Sequence, residues 1–383
     1  MQKQYGIYFT KGFILLIDEL LQDYYDKSLK KEDFLHLFYV LEKSNEENNL
    51  VPLPRNIRNN FGRSNGQWKF KKMIDILEYL NIITSTSYSN YEGKNFCKSY
   101  GYTNEFTSKV IDKEFELIFC EISEKTYNII YKYSKIPEDP ILLKHYNTIK
   151  SLEIDMNKAI SFAKQFSNEK FLRVVRDIIT IHNKENIIVT EDERTGRIFT
   201  SFNLMKKELR EFCLYQGEPL DSLDLKSSQP YLLSSLLLQE YPNNKEVQRF
   251  YELVTDSDLY DWLIENWGFT DIFSYDESRT LAKKLFFNYL YKKNQGTNSA
   301  QQLISKEFPE VYELIKIKKS TEEIWLSLQK LEASIFIPVC NEFVENGCLS
   351  VHDSLYFPKE FRGDIERALR ENFHKFKLTK YSL

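Results

Sequence analysis

The spacing of apolar residues predicts helices in the first part of the chain, followed by a hairpin. Helical periodicity covers residues 14–25 and 34–41 and resumes after Trp68. From Ile82 the pattern becomes strand-like, and a polar, glycine-containing stretch at residues 88–94 interrupts it. We therefore expect a helix that leads into a hairpin, with mostly helical patterns returning further along.

From about residue 187 the pattern changes to short strands. Residues 187–202 predict a hairpin with Arg197 at the start of its second strand. A second short strand contains Asp224, and Ser227 or Ser228 is placed to cap the helix that follows. Together with the helical part, this pattern predicts an α+β protein.

Two acidic residues occupy strand ends. Asp224 ends a short apolar strand, and residues 349–357 predict a strand, a turn and a strand with His352 and Asp353 at the tip. Carboxylates near buried strands are costly to desolvate unless a positive charge lies between them, and divalent metal ions commonly supply it. Asp224 and Asp353 are therefore candidate metal ligands.

A stripe of cations and aromatic rings is predicted on one helix. Arg279, Lys283, Phe287 and Tyr291 recur at intervals of four. Four helical residues advance the chain by ~6 Å, so the four side chains form a stripe roughly 18 Å long. That length suits a nucleoside triphosphate, with the cations on its phosphates and the rings stacking on its base.

Composition limits the classes of protein to consider. The chain has 383 residues, of which 42% are hydrophobic and 15% aromatic, enough for a large core and two or three compact units. No apolar run approaches the ~20 residues of a membrane span, and the start of the chain lacks the order of a secretory signal. We therefore expect a cytoplasmic location and no membrane partner. The five cysteines are scattered, which indicates neither a disulfide framework nor a zinc site.

Basic residues are concentrated in two windows although the net charge is -4. One window covers residues 54–72 and the other residues 279–293. Every charged residue in both windows is basic. Such clusters bind phosphates, but they are equally typical of solvated helix faces. The candidate DNA-binding residues of the first window are Arg55, Arg58, Arg63, Lys69, Lys71 and Lys72.

Taken in chain order, these motifs resemble the family A DNA polymerases and the related single-subunit phage-type RNA polymerases. The resemblance covers roughly residues 187–358. The TGR sequence ending at Arg197 resembles the motif that contacts primer and template, and Asp224 falls at the first metal-binding aspartate. The stripe resembles the fingers helix that grips the incoming nucleotide. The pair His352 and Asp353 resembles the motif with the second catalytic aspartate.

The resemblance implies a fold and a mechanism. It implies a polymerase-like palm, built of an antiparallel sheet with packed helices, and reduced helical fingers. Two Mg²⁺ ions, or Mn²⁺, would be held by Asp224 and Asp353, and nucleoside triphosphates would extend a DNA or other nucleic-acid primer-template. The implied nucleotide-binding residues are Arg279, Lys283, which also has a catalytic role, Phe287, Tyr291 and Gln229; those for primer and template are Arg197, His352 and Gln329.

Several residues depart from the family pattern. Gln229 occupies the sugar-screening position, where the DNA-synthesising branch normally has glutamate. Ser354 resembles the RNA-synthesising branch, whereas Phe287 resembles the DNA branch, so the choice of sugar stays open. The segment between Tyr291 and His352 is short, which leaves template-independent synthesis open as well. Gln329 and Glu332 would lie near the duplex, or they form the wet edge of a core helix.

The N-terminal part resembles a winged-helix module over about 55 residues. Its basic helix would enter a groove of DNA, and Lys94 on the wing would contact phosphates. A module used only for protein contacts would show the same pattern. The predicted domains are residues 1–110, winged-helix-like; residues 111–185, a helical thumb-like connector; and residues 186–383, palm and fingers.

Two classes of function remain after this reasoning. The first is a compact polymerase or primase-like enzyme without a proofreading nuclease, because the other predicted domains occupy the remaining residues. The second is a non-catalytic DNA-binding replication initiator or regulator on a polymerase-like fold. The intact Asp224, Asp353, Arg279 and Lys283 favour the enzyme, since a buried carboxylate without its metal destabilises a fold.

Overall fold

The chain forms two compact units in the computed structural model. Unit 1 comprises Met1–Pro137, Ile149–Ile188 and Thr200–Gly217, and unit 2 comprises Glu138–Thr148, Val189–Phe199 and Glu218–Leu383. The structure describes residues 5–25, 28–42, 51–53, 58–64, 67–86, 89–91, 95–111, 116–131, 135–166, 170–184, 186–267, 274–291, 298–321 and 323–383. The predicted division into three domains stays a prediction.

Within the described ranges the fold is α+β, as the sequence predicts. The strands are β1 (Gly6–Thr10), β2 (Val51–Pro52), β3 (Arg63–Ser64), β4 (Gln67–Trp68), β5 (Ile83–Ser85), β6 (Ser89–Tyr91), β7 (Asn95–Cys97), β8 (Ser99–Tyr102), β9 (Leu117–Glu121), β10 (Leu152–Ile154), β11 (Val189–Asp192), β12 (Arg197–Thr200), β13 (Cys213–Tyr215), β14 (Glu218–Asp224), β15 (Leu349–Val351) and β16 (Ser354–Pro358).

The helices are α1 (Lys11–Leu21), α2 (Lys31–Glu42), α3 (Lys69–Tyr79), α4 (Asn104–Ile111), α5 (Glu124–Ile130), α6 (Pro140–Ser151), α7 (Met156–Ala163), α8 (Lys170–His182), α9 (Ser201–Leu204), α10 (Lys207–Arg210), α11 (Ser228–Glu240), α12 (Lys245–Asp256), α13 (Leu259–Trp267), α14 (Tyr275–Tyr291), α15 (Ser299–Glu307), α16 (Pro309–Thr321), α17 (Ile324–Phe343) and α18 (Arg362–Lys375). None of the helices described is both long and apolar enough to span a bilayer.

Unit 1 contains the predicted helix and hairpin. The apolar positions of α3 that share one face are buried, and the strand β5 follows within a few residues. Strand β8 pairs antiparallel with both β2 and β5, which gives a three-stranded sheet in the order β2-β8-β5. Strands β6 and β7 form a separate hairpin between β5 and β8. The periodicity from Trp68 onward therefore predicts this region correctly.

Unit 2 is built around a short antiparallel sheet. Strand β16 lies between β14 and β15, and every residue of β15 is buried. Helix α17 packs on β15, β16, α11 and α18, so its apolar positions complete a continuous core. Because β15 and β16 are covered, their loop residues are held in a fixed position relative to β14.

The start of helix α11 differs from the expectation in one respect. The helix begins at Ser228, as predicted, but the side chain of Ser227 makes no capping hydrogen bond. Ser227 has φ 50° and ψ 45°, in the left-handed region, and the Ser228 hydroxyl points to Glu332 instead, at 3.5 Å. The prediction that a serine side chain caps this helix is therefore wrong. The tight turn directs the residues after Asp224 into the core.

Candidate active site

The sheet register brings Asp224 next to Asp353. Asp224, the last residue of β14, is opposite Ser354, the first residue of β16. The Leu225 amide donates to the Asp353 carbonyl oxygen at 3.1 Å, and the Ser354 hydroxyl donates to Asp224 Oδ1. The two candidate metal ligands are thus one residue apart across neighbouring strands of unit 2.

A two-residue turn presents Asp353. His352 and Asp353 connect β15 to β16, and His352 has φ 56°, in the left-handed region used by tight hairpin turns. The His352 ring contacts Phe199 edge to face, with ring centroids 5.9 Å apart. His352 is exposed, whereas Asp353 is partly buried. The two side chains of this motif therefore differ in their exposure to solvent.

Asp353 lies in a strongly acidic environment. Burial, the carboxylate of Glu332 and the carboxylate of Asp224 raise the pKa of Asp353 to about 7. A carboxyl group with that pKa is close to half-protonated at neutral pH, which is typical of a site built for a positive charge.

Glu332 is the buried centre of the site. Its side chain is 2% exposed and accepts from Arg197 Nη2 at 2.6 Å and from Gln229 Nε2 at 2.7 Å. Burial raises the pKa of Glu332, and the Arg197 guanidinium and the Gln229 amide oppose that shift. The sequence placed this residue either near the duplex or on the wet edge of a core helix. In the structure it is buried, so the wet edge is wrong, and it connects the TGR turn to helix α11.

Gln229 connects Glu332 to the aromatic end of the stripe. Its Oε1 accepts from the Tyr291 hydroxyl at 2.9 Å, so both ends of its amide are engaged. The Phe287 and Tyr291 rings are stacked, with centroids 5.5 Å apart and planes at 14°. The pKa of Tyr291 is raised mainly by burial and further by the charges of Glu332 and Asp353. The aromatic end of α14 therefore faces the acidic cluster.

The cationic end of the stripe has protein partners. Arg279 donates from Nη2 to Asp258 at 2.8 Å and from Nη1 to Asp261 at 2.5 Å. The Lys283 amine lies 5.6 Å from the centroid of the Tyr260 ring, and Lys283 is exposed. The structure thus places all four stripe residues on one flank of α14, beside its buried face, and Arg279 is already neutralised by carboxylates.

The TGR turn positions Arg197. The carboxylate of Asp192 accepts from the Arg194 amide at 3.1 Å and from the Thr195 hydroxyl at 2.7 Å, and Gly196 has φ 74°. This closed turn starts β12 at Arg197, whose side chain is 13% exposed. Its Nε is buried and makes no hydrogen bond among the described residues. Gln329 lies on α17 one turn before Glu332 and is partly exposed.

The carboxylates of this site fit a divalent ion whose other ligands come from waters and a substrate. Among the described residues, no three or more His, Cys, Asp or Glu side chains form a metal-binding group. Mg²⁺ is commonly bound by one or two carboxylates, with waters and substrate phosphates completing its shell. Asp224 and Asp353, with the raised pKa of Asp353, match that kind of partial site.

The candidate DNA-binding residues of unit 1 divide into three groups. Arg55 and Lys94 lie outside the described residues. Lys69 makes an ion pair with Asp33 at 2.8 Å, and both side chains are mostly buried. The remaining residues, Arg58, Arg63, Lys71 and Lys72, are exposed or partly exposed. Lys69 therefore has a structural role in addition to any contact with a ligand.

Comparisons with known proteins give one partial match. A family model described as a protein of unknown function (DUF1374) matches residues 240–297. No curated protein matches the chain. The matched segment contains the whole stripe on α14 with Asp258 and Asp261, but neither Asp224 nor Asp353.

Three residues of the site, Asp258, Tyr260 and Asp261, were not identified from sequence. Asp258 is 6% exposed and accepts from the Tyr260 amide at 2.9 Å, and the Tyr260 ring lies under Arg279. An acidic residue directly before an apolar run is a signal for a helix start. The sequence alone could therefore have predicted that Asp258 caps α13. Its pairing with Arg279, and the central position of Glu332, depend on tertiary structure.

Proposed function

We propose that unit 2 is a nucleotidyltransferase of the family A polymerase kind, which extends a nucleic-acid primer by two-metal phosphoryl transfer. One observation carries the proposal: the β14–β16 register puts Asp224 opposite Ser354 and beside Asp353. The aromatic end of α14 faces the same acidic cluster, as the hydrogen bonds from Tyr291 to Gln229 and from Gln229 to Glu332 indicate. In this proposal β14, β15 and β16 with α17 and α11 form the palm, and α14 forms the fingers helix.

Each residue has a role in this proposal. Asp224 and Asp353 would hold divalent ions, and these would supply activation of the primer hydroxyl and neutralisation of the triphosphate charge. Lys283, exposed on α14, binds the phosphates and donates a proton to the leaving pyrophosphate. Phe287 and Tyr291 form one wall of the base pocket. Arg279 reaches the outer phosphates after it exchanges Asp258 and Asp261 for them.

Nucleic acid is the other partner in the proposal. In unit 1, α3 is followed by β5, the β6–β7 hairpin and β8, and β8 pairs with both β5 and β2. This order supports the likeness of unit 1 to a winged-helix module. Arg58, Arg63, Lys71 and Lys72 supply its positive charge. Contacts of this kind position a protein on phosphates without reading sequence.

A second candidate is a non-catalytic DNA-binding protein on the same fold. The two ion pairs of Arg279 favour this candidate, because they engage the side chain that would otherwise bind phosphates. Arg279 has the geometry of a structural residue in this arrangement. The two candidates differ in whether nucleotide is incorporated.

Incorporation of labelled nucleotides separates the candidates. The full chain is incubated with Mg²⁺ and deoxynucleoside or ribonucleoside triphosphates, with primed template, single strand or no nucleic acid. We expect Asp224→Asn and Asp353→Asn each to lower incorporation by at least about a hundredfold. Asp221→Asn is the matched control, because Asp221 lies on the same strand and pairs with Arg362 instead.

The outcomes are distinct. Incorporation that survives both active-site substitutions contradicts the assignment of Asp224 and Asp353. No incorporation by any form, with binding of duplex DNA by the unmodified chain, favours the second candidate. The three nucleic-acid conditions also distinguish templated extension from template-independent synthesis, and the two triphosphate types report the choice of sugar.

A further inference from the structure

Unit 1 contains a cavity that the proposed activity of unit 2 does not use. Its volume is about 510 Å³, and α3, the β3–β4 hairpin and β8 contribute to its lining. Small-molecule sites commonly have volumes of about 300–1,000 Å³. The cavity is therefore large enough for a ligand of nucleotide size.

The floor and one wall of this cavity are aromatic. Phe70 and Tyr100 are each 5% exposed and meet edge to face, with ring centroids 5.7 Å apart, and Ile74 completes the apolar floor. On the wall, the Arg63 guanidinium lies 4.3 Å from the centroid of the Trp68 ring. Indole rings and guanidinium planes are the groups on which unpaired nucleobases stack.

The rim of the cavity carries an excess of positive charge. Arg58, Arg63, Lys71 and Lys98 line it, against the two acids Asp75 and Glu78. The Glu78 carboxylate already accepts a hydrogen bond from Ser85. An anionic group is therefore favoured at the mouth of the cavity over a cation.

Arg58 contributes one of the cations at this cavity. Phosphate oxygens accept charge-assisted hydrogen bonds from guanidinium groups, so Arg58 suits the phosphate of a nucleotide.

A closed double helix does not match this arrangement. A stacked base pair has both faces covered by its neighbours, so its bases are not free to stack on side chains in a cavity. Lys69, on the same helix, is bound to Asp33 and is absent from the cavity lining. The concave aromatic site thus requires a base that is already unstacked.

We propose that this cavity binds one unstacked nucleobase together with its phosphate. Trp68 and the aromatic floor hold the base, and Arg58, Arg63, Lys71 and Lys98 hold the phosphate. The nucleotide comes either from the end of a nucleic-acid strand or from a free mononucleotide, which share this chemistry. The inference is independent of the metal site in unit 2.

Binding measurements on the full chain test the proposal. The probes are thymidine monophosphate, thymidine, inorganic phosphate, and a short oligothymidylate with and without a 5′-phosphate. We expect the phosphorylated probes to bind and both Trp68→Ala and Lys71→Gln to weaken them by about tenfold. Trp68→Phe, which keeps a ring, should retain most of the binding.

Lys125→Gln is the control for charge. Lys125 is an exposed lysine of unit 1 on α5 that does not line the cavity. The proposal requires Lys125→Gln to leave binding of the monophosphate within about twofold of the unmodified chain. Circular dichroism and thermal unfolding of each variant exclude loss of the fold as the cause.

The probes also identify the source of the nucleotide. Tighter binding of the 5′-phosphorylated oligothymidylate than of the monophosphate assigns the site to strand ends, and equal binding with mutual competition assigns it to free nucleotide. Equal weakening by Lys71→Gln and Lys125→Gln, with no effect of Trp68→Ala, would overturn the proposal in favour of diffuse charge attraction. Absence of binding for every phosphorylated probe would overturn it too.

Discussion

Arg279 is held by Asp258, with Nη2 and Oδ2 2.8 Å apart. Asp258 is almost fully buried, whereas the second partner, Asp261, has a side chain that is 40% exposed. The two acids neutralise the cation that the family resemblance assigns to the outer phosphates. In the proposed enzyme, a triphosphate must therefore displace carboxylates before Arg279 can bind it.

Removal of the exposed acid should strengthen triphosphate binding. In Asp261→Asn, Nη1 of Arg279 loses a charged partner, while the buried pair with Asp258 keeps the side chain in place. We expect the affinity for a nucleoside triphosphate to rise by about three- to tenfold. Less interaction energy is then lost when phosphates replace the carboxylate partners of Arg279. Equilibrium titration with a triphosphate and Ca²⁺, which limits turnover, measures this change.

Asp276→Asn is the control for net charge. Asp276 is an exposed acid in the first turn of α14. Its substitution removes the same charge without removing a partner of Arg279. Equal gains in affinity for the two variants would mean that Asp261 acts only through long-range charge. No gain in either would contradict the idea that Asp261 competes with phosphates.

Removal of the buried acid Glu332 should lower stability far more than removal of an exposed acid nearby. Glu332→Ala leaves Arg197 and the Gln229 amide without their acceptor in a buried position. We expect the free energy of unfolding to fall by about 3–5 kcal/mol. Chemical denaturation followed by circular dichroism gives the value.

The chain offers a matched comparison for this variant. Arg194 and Glu323 form an ion pair at 2.7 Å whose side chains are both more than half exposed. Glu323→Ala should lower the free energy of unfolding by less than about 1 kcal/mol. If the two variants lose equal stability, Glu332 is not the buried centre described for the site.

Local elements of this site follow from the sequence, but their partners do not. The four-residue spacing of Arg279, Lys283, Phe287 and Tyr291 predicts one helical flank, and the structure has it on α14. The turn before Arg197 and the hairpin with Asp353 are likewise set by local residues. Period and turn chemistry act over a few residues, so one sequence is enough to predict them.

Contacts between distant residues lie beyond that reasoning. Glu332 is 135 residues from Arg197, and nothing in its own helical pattern distinguishes a buried acid from one on the wet edge. The left-handed Ser227 is similar: its residue type suits a cap, but its side chain makes no capping hydrogen bond in the structure. Burial of charge depends on which elements pack together, and that is a property of the whole fold.

The identity of residue 229 should depend on Glu332. Gln229→Glu replaces an amide donor, 2.7 Å from Glu332, by a second carboxylate. We expect the free energy of unfolding to fall by about 2 kcal/mol at neutral pH, because two like charges are then buried together. The double variant Gln229→Glu with Glu332→Gln restores one acid and one amide and should recover most of the loss.

A double-variant cycle measures this dependence. The four proteins are compared by chemical denaturation under one set of conditions, and the coupling free energy is taken from their differences. Additive losses in the double variant would show that residues 229 and 332 do not interact.

Burial of His36 in unit 1 should make stability depend on pH. The side chain is 5% exposed, and its ring stacks on Phe61 with centroids 4.4 Å apart. Burial lowers the pKa of His36 to about 4 from 6.5, and the charges of Asp33 and Glu32 oppose that shift only partly. In the folded state the imidazole is therefore neutral at pH values where the unfolded chain has bound a proton.

The sign of the effect follows from this difference in proton binding. The contribution of His36 is fully present above about pH 6.5 and is lost as the pH falls towards about 4, by about 3 kcal/mol in total. His36→Leu removes the titrating group, so its free energy of unfolding should fall less over the same range. Urea denaturation of both proteins at several pH values gives the two slopes.

His374→Leu is the control for this measurement. It removes an exposed imidazole on α18 and should keep the slope of the unmodified chain. Only the difference in slope is informative, because His36→Leu also changes packing against Phe61 by an amount that does not vary with pH. Parallel curves for the unmodified chain and His36→Leu would show that His36 is accessible to protons in the folded protein.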